Sequence, residues 1–283
     1  MMAKCRAWLD LLRVSNIPTC LSNVLVGWAI GGAPDRIGTL IWIAGVICII
    51  YLAGMVLNDV ADAPWDRRHR PDRPIPRGII RRSTAGIVGG VLLFGATGVT
   101  VLLGPAVFTA TAVLAALVLV YDAAHRVWPV AILGMALCRA MVYLVVAIAA
   151  TEAPPSAALL GSMLALGLWT AGLTLIARRE SEGQAMRWPL ILLVLAVPIA
   201  LWIGGGNLPL ILLTGILLLL QILWIATKLL QPTGVVPAVL ASIAGISLLD
   251  AFILGILNVP LYAVIAVCCF VVVTIVHRPL PGT

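Results

Sequence analysis

Apolar runs follow one another along this chain with little between them, at about 14–33, 37–57, 84–103, 105–121, 129–150, 156–177, 188–203, 207–227, 235–257 and 259–276. Most approach the roughly 20 residues that carry a helix across a bilayer. Backbone inside hydrocarbon must satisfy its own N–H and C=O groups, and a single apolar run does so only as a helix. With 62% hydrophobic and 10% charged residues and a mean hydropathy of +1.14, nothing is left over for a separate soluble module. The sequence therefore predicts an all-α fold, a polytopic membrane bundle of about nine to ten transmembrane helices, with residues 1–283 as one integral-membrane domain. The run at 188–203 is short and reads as a partial span. The segment before Val14 carries Lys4, Arg6 and Arg13 but no small-residue cleavage site, so the first span is read as a retained helix.

Charge placement sets the expected orientation. If all ten runs span and the N-terminus is cytoplasmic, only Arg36 and Arg139 of the 18 Lys and Arg residues fall outside the inward segments. The net charge of +7 thus reflects topology, and no nucleic-acid partner is implied. The expected location is a bacterial inner membrane, with the N-terminus and the polar loops cytoplasmic. The six cysteines lie in or beside apolar spans without a C-x-x-C pair, and read as small packing residues.

Against this background one polar stretch stands out. Asn58-Asp59-Val60-Ala61-Asp62-Ala63-Pro64-Trp65-Asp66 places three carboxylates and an amide directly after an apolar helix, in a chain with only 11 acidic residues. Seven arginines follow between Arg67 and Arg82. If the helix continues, Asn58, Asp62 and Asp66 recur every four residues, and Asp59 and Asp66 lie seven apart, so all share one stripe. Pro64 is placed to kink or end that helix. Oxygen-only ligands suit Mg²⁺, which is commonly shared with a substrate's phosphates. Arg67, Arg68, Arg70, Arg73 and Arg77 can neutralise the remaining phosphate charge through forked contacts. The plainer alternative is a solvated loop in which acids and arginines pair with one another and the arginines anchor topology.

Two further loops share the predicted face. Tyr121-Asp122-Ala123-Ala124-His125-Arg126 offers a carboxylate, an imidazole and a cation, although His125 reads equally as an interface residue. Arg178-Arg179-Glu180-Ser181-Glu182 either completes a diphosphate site or is a solvated turn. Arg139 and Asp250 lie deep in spans, where charges face the bundle interior and find partners. Structural pairing and lining of a cavity both fit them, and Asn16 near the inner end of the first span is a similar candidate.

The spacing Asn58-Asp59-x-x-Asp62-x-x-x-Asp66, followed by Arg73-Pro74-Ile75-Pro76-Arg77-Gly78, resembles the first signature of the UbiA superfamily of intramembrane prenyltransferases. The opening Arg13-Val14-Ser15-Asn16-Ile17-Pro18-Thr19 segment and the two polar loops extend the resemblance along the chain. What it implies is a helical bundle around a central, lipid-accessible cavity that binds a prenyl diphosphate through Mg²⁺. Carried onto this chain, Asn58, Asp59, Asp62 and Asp66 hold the metal and diphosphate, with Asp59, Asp62 and Asp66 the catalytic acids. Arg67, Arg73 and Arg77 are diphosphate neighbours, and Tyr121, Asp122, His125, Arg126, Arg178, Glu180, Glu182 and Asn16 are further substrate-binding candidates. The family's second motif is usually D-x-x-x-D. Here the corresponding loop has Glu180 and Glu182 at another spacing, with Glu180 the candidate metal ligand. The Arg-Glu loop and Ile132-Leu133-Gly134-Met135-Ala136-Leu137-Cys138-Arg139 resemble the UbiA-like EboC branch. Four apolar runs after the third loop, where the family usually has three, are a further departure.

The expected activity is transfer of a prenyl group from a prenyl diphosphate to a small-molecule acceptor, with membrane lipid as the surrounding medium. A non-catalytic or transporter-like member that binds an isoprenoid or other lipid diphosphate is the alternative, because the second motif departs from the pattern. A CDP-alcohol phosphotransferase needs D-G-x-x-A-R, and Asp62 is followed by Ala63-Pro64.

Overall fold

The computed structural model describes residues 2–32, 35–151, 156–178, 187–231 and 233–277. Among these residues the fold is entirely helical: α1 Met2–Leu12, α2 Ile17–Gly31, α3 Ile37–His69, α4 Arg82–Val99, α5 Pro105–Ala124, α6 Trp128–Thr151, α7 Ala157–Arg178, α8 Leu190–Leu201, α9 Leu208–Leu229, α10 Val235–Ile256 and α11 Pro260–Val276. Helices α2 to α11 match the ten apolar runs. Helix α1 is an addition, formed where the sequence showed only a short charged segment. It is amphipathic, burying Ala7 and Leu11 against Val56, Ala63 and Ile80 while Lys4, Arg6 and Asp10 stay exposed.

Among the described residues seven helices are long and apolar enough to cross a membrane: α3, α4 with the turn that continues it to Leu103, α5, α6, α7, α9 and α10. Helix α8, at 12 residues, reaches only about 18 Å, as expected of a partial span. Large apolar side chains such as Ile87, Val91 and Phe94 on α4 and Leu213, Ile216 and Leu220 on α9 face outward, where lipid is their natural solvent. Helix α10 sits at the centre, with Ala244 to Ile256 buried without a break.

Two features position the polar site. The first is the length of α3, whose 33 residues rise about 50 Å, well beyond a hydrocarbon core of about 30 Å. It runs straight past Pro64 to His69, so the Asn58–Asp66 stripe is held on a helix rather than in a loop. Arg67, Arg68 and His69 close its last turn, where cations suit the negative end of the helix. The second is the close approach of α2 and α6. Thr19, Asn23, Gly27 and Gly31 recur every four residues along one face of α2. A Cβ at Gly27 would stand 2.8 Å from the Tyr143 carbonyl oxygen, and one at Gly31 would overlap Ala150. Small residues at this spacing let two membrane helices touch along their backbones, which lays Arg139 and Tyr143 of α6 against the polar side chains of α2.

Candidate active site

The ends of α3, α5, α7 and α11 and the start of α2 meet on one face of the bundle. The turn into α2 is made by Arg13, which adopts a left-handed conformation (φ 46°, ψ 47°) that costs a non-glycine residue energy. That turn brings the Arg13 guanidinium to Asp59, with Nη2 donating to Oδ1 at 3.4 Å. From the other side Arg73 Nη1 donates to Asp59 Oδ1 at 3.2 Å and to Asp66 Oδ2 at 3.0 Å. Arg73 is returned to α3 by its own segment: Ile75 is buried against α1, α3 and α4, and Gly78 takes a positive φ of 74° to close the turn. Asp59 and Asp66 are both buried, so loss of the arginine would leave a buried carboxylate without its partner.

The next pair of contacts joins α3 to the end of α5. Asp62 Oδ1 accepts from Arg126 Nη2 at 2.8 Å and from His125 Nε2 at 3.1 Å. His125 Nδ1 faces the Asp122 carbonyl at 3.1 Å. Both ring nitrogens thus face acceptors, and the Asp62 hydrogen bond raises the His125 pKa above 6.5 despite partial burial. Asn58 Nδ2 donates to Asp122 Oδ1 at 3.2 Å. Arg126 Cζ stands 5.6 Å from the centre of the Trp65 ring, which Arg70 also covers at 5.7 Å.

Beneath this head lies a cavity of about 490 Å³, within the range of about 300–1,000 Å³ usual for small-molecule sites. Its mouth carries Arg13, Arg70, Arg73, Asp122, His125 and Arg178; its depths are walled by Ile47, Leu114, Val118, Val142, Ile243 and Ile246. Part of the depth is polar as well. Arg139 lines it, donating to Asn23 Oδ1 at 2.9 Å and Thr19 Oγ1 at 3.1 Å and lying 5.6 Å from the Tyr51 ring centre. Asp250 is fully buried and accepts from Ser22 Oγ at 2.5 Å, Asn23 Nδ2 at 2.8 Å and the Tyr143 hydroxyl.

Of the residues singled out in the sequence, Asp59, Asp66 and Arg73 form one bonded group along α3, and Asn58, Asp62, Asp122, His125 and Arg126 form a second beside it. Tyr121, Arg178 and Asn16 line the cavity beside them. Tyr121 packs its ring on Gly134 of α6 and near His125, and Arg178 Nη2 donates to the Arg126 carbonyl at 3.3 Å. Arg67 and Arg77 are exposed and line no part of the cavity. Glu180 and Glu182 lie outside the described residues. Sequence reasoning gave no role at this site to Arg70's ring contact, Tyr51 or His277. Arg70 sat in the arginine run, but nothing local to Tyr51 or His277 marks them, since tertiary packing alone brings them to the cavity.

The donor set can be tested against a hard divalent cation. It consists of carboxylate and amide oxygens, and the buried Asp66 Oδ1 and Asp122 Oδ2 have no hydrogen-bond partner among the described residues. Such oxygens suit Mg²⁺. Among the described residues no three His, Cys, Asp or Glu side chains converge as a ready metal cage. That fits a cation held by one or two carboxylates with substrate phosphates completing its shell.

A helical membrane bundle with an acid–arginine head over an apolar cavity defines an intramembrane site for a molecule with a charged head and an apolar body. The chain belongs to the UbiA prenyltransferase family, whose family model matches residues 16–250. It is therefore an integral membrane protein. Among characterised relatives it is 38% identical over 82 residues to digeranylgeranylglyceryl phosphate synthase of Methanopyrus kandleri, covering 28% of this chain and 29% of that one. It is 34% identical over 65 residues to 4-hydroxybenzoate octaprenyltransferase of Blochmanniella pennsylvanica, 22% of each chain. The matched stretch spans under a third of the length of these two relatives. The fold is shared much more widely. A UbiA homologue from Aeropyrum pernix K1 superposes with a TM-score of 0.70 at 20% identity, over 84% of this chain and 96% of that one. A UbiA homologue from Archaeoglobus fulgidus, bound to GPP and Mg²⁺, superposes with a TM-score of 0.54 at 16% identity, over 87% and 99%.

Proposed function

We propose that this protein is an intramembrane prenyltransferase that moves a prenyl group from a prenyl diphosphate to a small-molecule acceptor, releasing diphosphate. The observation that carries this reading is the clamp of Arg13 and Arg73 on Asp59 and Asp66 at the mouth of a cavity whose walls become apolar within the bundle. A diphosphate head with an isoprenoid chain has the same division of charge and apolar surface. The relatives' names support the same chemistry.

Mg²⁺ would be held by one or two carboxylates from among Asp59, Asp62 and Asp66, with Asn58 beside them and Glu180 the further ligand named from the sequence. When bound, it supplies positive charge to the diphosphate oxygens. Arg13, Arg70 and Arg73 bind the head and stabilise the negative charge that grows as the allylic C–O bond breaks. Arg126, which donates to Asp62, and Arg178, which donates to the Arg126 carbonyl, orient the head from the α5 and α7 side. Ile47, Leu114, Val118 and Val142 hold the chain and exclude water from the reacting carbon. Arg67 and Arg77, exposed on the surface, act as topology anchors. Residues 1–283 work as one integral unit with this head cytoplasmic, in the orientation the basic residues favour, in a bacterial inner membrane.

Equilibrium binding of geranyl diphosphate to the detergent-purified full chain tests the reading. Saturable binding that tightens at least tenfold with Mg²⁺ and weakens in D59A supports it. Binding that is indifferent to both would refute it.

A further inference from the structure

Arg139 carries a positive charge at mid-bundle, about 17 Å of helix rise into α6 from Trp128. A guanidinium has five N–H donors. Among the described residues Arg139 uses Nη1 on Asn23 Oδ1 at 2.9 Å and on Cys20 Sγ at 3.6 Å, and Nη2 on Thr19 Oγ1 at 3.1 Å. Nε–H and the second hydrogen of Nη2 are left over. No carboxylate pairs with Arg139 directly among the described residues, and Asp250 is reached only through Asn23. Arg139 is nevertheless only half-buried, and the surface it keeps belongs to the cavity wall.

The depth of this cation below the head follows from α3. Tyr51, whose ring centre lies 5.6 Å from Arg139 Cζ, is about 12 Å of helix rise from Asp59. Between the two levels the cavity is lined by Gly54 and Met55 of α3 and Val118 of α5, all without charge or hydrogen-bonding side chains. A chain descending from the Asp59–Arg73 head therefore rests on apolar walls for about that distance and then meets the guanidinium. With carbon–carbon bonds of about 1.5 Å in a zigzag, the backbone of a geranyl chain spans about 9 Å and that of a farnesyl chain about 14 Å. Geranyl stops short of Arg139, and the third isoprene unit of farnesyl is pressed against it.

We propose that Arg139 is a specificity-determining residue that restricts the donor to short prenyl diphosphates, of one or two isoprene units. In a wholly apolar pocket each added isoprene strengthens binding, because every buried CH₂ contributes. Here the gain reverses at the third unit. Hydrocarbon packed on Arg139 strips water from a charge and leaves Nε–H and an Nη2–H without acceptors. A shorter chain leaves room for water to serve both. The guanidinium does not swing aside freely, because Thr19 and Asn23 hold it to α2 and the Tyr51 ring covers it from α3.

The restriction rests on the prenyl-transfer reading, and one titration series separates the two. Dimethylallyl, geranyl, farnesyl and geranylgeranyl diphosphates are titrated with Mg²⁺ into the detergent-purified full chain, with inorganic diphosphate as the head alone. In wild type we expect geranyl diphosphate to bind at least about fivefold more tightly than the farnesyl and geranylgeranyl compounds. In R139M the ratio of farnesyl to geranyl affinity rises at least about fivefold over wild type, while inorganic diphosphate affinity stays within about twofold. Comparing the two proteins in one detergent cancels the partition of longer chains into micelles. If R139M fails to fold, R139Q, whose amide can still bond Asn23 and Thr19, is read in its place. Smaller discrimination by the wild type, or a smaller change of the ratio in the variant, overturns the restriction. A loss of inorganic diphosphate binding in the folded variant overturns it too, since Arg139 would then serve the head. Failure of every prenyl diphosphate to bind the wild type refutes the prenyl-transfer reading instead, and the restriction with it.

Discussion

Arg139 on α6 and Asp250 on α10 are joined through Asn23 of α2, which accepts from the arginine at 2.9 Å and donates to the aspartate at 2.8 Å. Three helices are thus tied at mid-bundle by one amide, and the two intramembrane charges need no direct pairing. Asn23→Leu removes one hydrogen bond from each charge, leaving Arg139 with Thr19 and Asp250 with Ser22 and Tyr143; hydrogen bonds to charged groups contribute about 1.5–3 kcal/mol each. Thermal unfolding in detergent should show a clear loss of stability, larger than for Ser22→Ala, which leaves Asp250 with Asn23 and Tyr143. Equal stability of N23L and wild type would show that the link contributes nothing.

The α2–α6 contact sets a second expectation. Gly27→Leu and Gly31→Val each drive a side chain into α6 backbone or the Ala150 methyl. Both should lower the yield of folded protein and the unfolding temperature, because overpacking costs about 1–3 kcal/mol or more. At Gly38, where an added Cβ meets nothing within 4 Å, alanine should be tolerated. Comparable losses at all three positions would count against close packing as the cause.

Arg73 and Arg77 come from one segment but sit in different places, the first between Asp59 and Asp66, the second exposed. R73A should weaken binding of inorganic diphosphate at least tenfold and lower stability by leaving Asp66 buried without its cation. R77A should change affinity less than about threefold. Isothermal titration with both variants distinguishes them, and a reversed order would remove Arg73 from the head of the site.

The His125–Asp62 contact makes stability depend on pH. The folded pKa of His125 is raised by Asp62, so the stabilisation is fully present below the unfolded value of about 6.5 and is lost as pH rises through the folded value. With EDTA present, the Tm difference between wild type and H125N should be largest near pH 6 and shrink above neutrality. Arg126 keeps Asp62 paired throughout, so the difference narrows while Asp62 stays neutralised. A difference that grew with pH would have the opposite linkage sign.

The apolar runs made ten of the eleven helices readable, because in lipid hydropathy and helix coincide. Helix α1 escaped, since it is short and half-polar, and only its packing on α3 reveals it. The acid stripe was legible from its four-residue spacing, yet Pro64 suggested a break; α3 absorbs it because the Val60 carbonyl that Pro64 leaves without its helical donor accepts from Arg82 Nε at 2.9 Å. Arg73 and Arg77 come from one motif that does not distinguish them; their different placement, one between two carboxylates and one exposed, depends on how the Ile75 anchor turns the segment. The relation of Arg139 to Asp250 was undecidable from a separation of 111 positions, because the amide that joins them lies on a third helix. His277 was invisible for the same reason.

Turnover of radiolabelled geranyl diphosphate by the full chain, with Mg²⁺ and an acceptor panel, bears most directly on the proposed activity. Diphosphate release coupled to a prenylated product should be abolished by EDTA and reduced at least 100-fold in D59A and D62A, both still folded by thermal unfolding. Tight binding of the prenyl diphosphate with no product from any acceptor, or product formation indifferent to both substitutions, would contradict it.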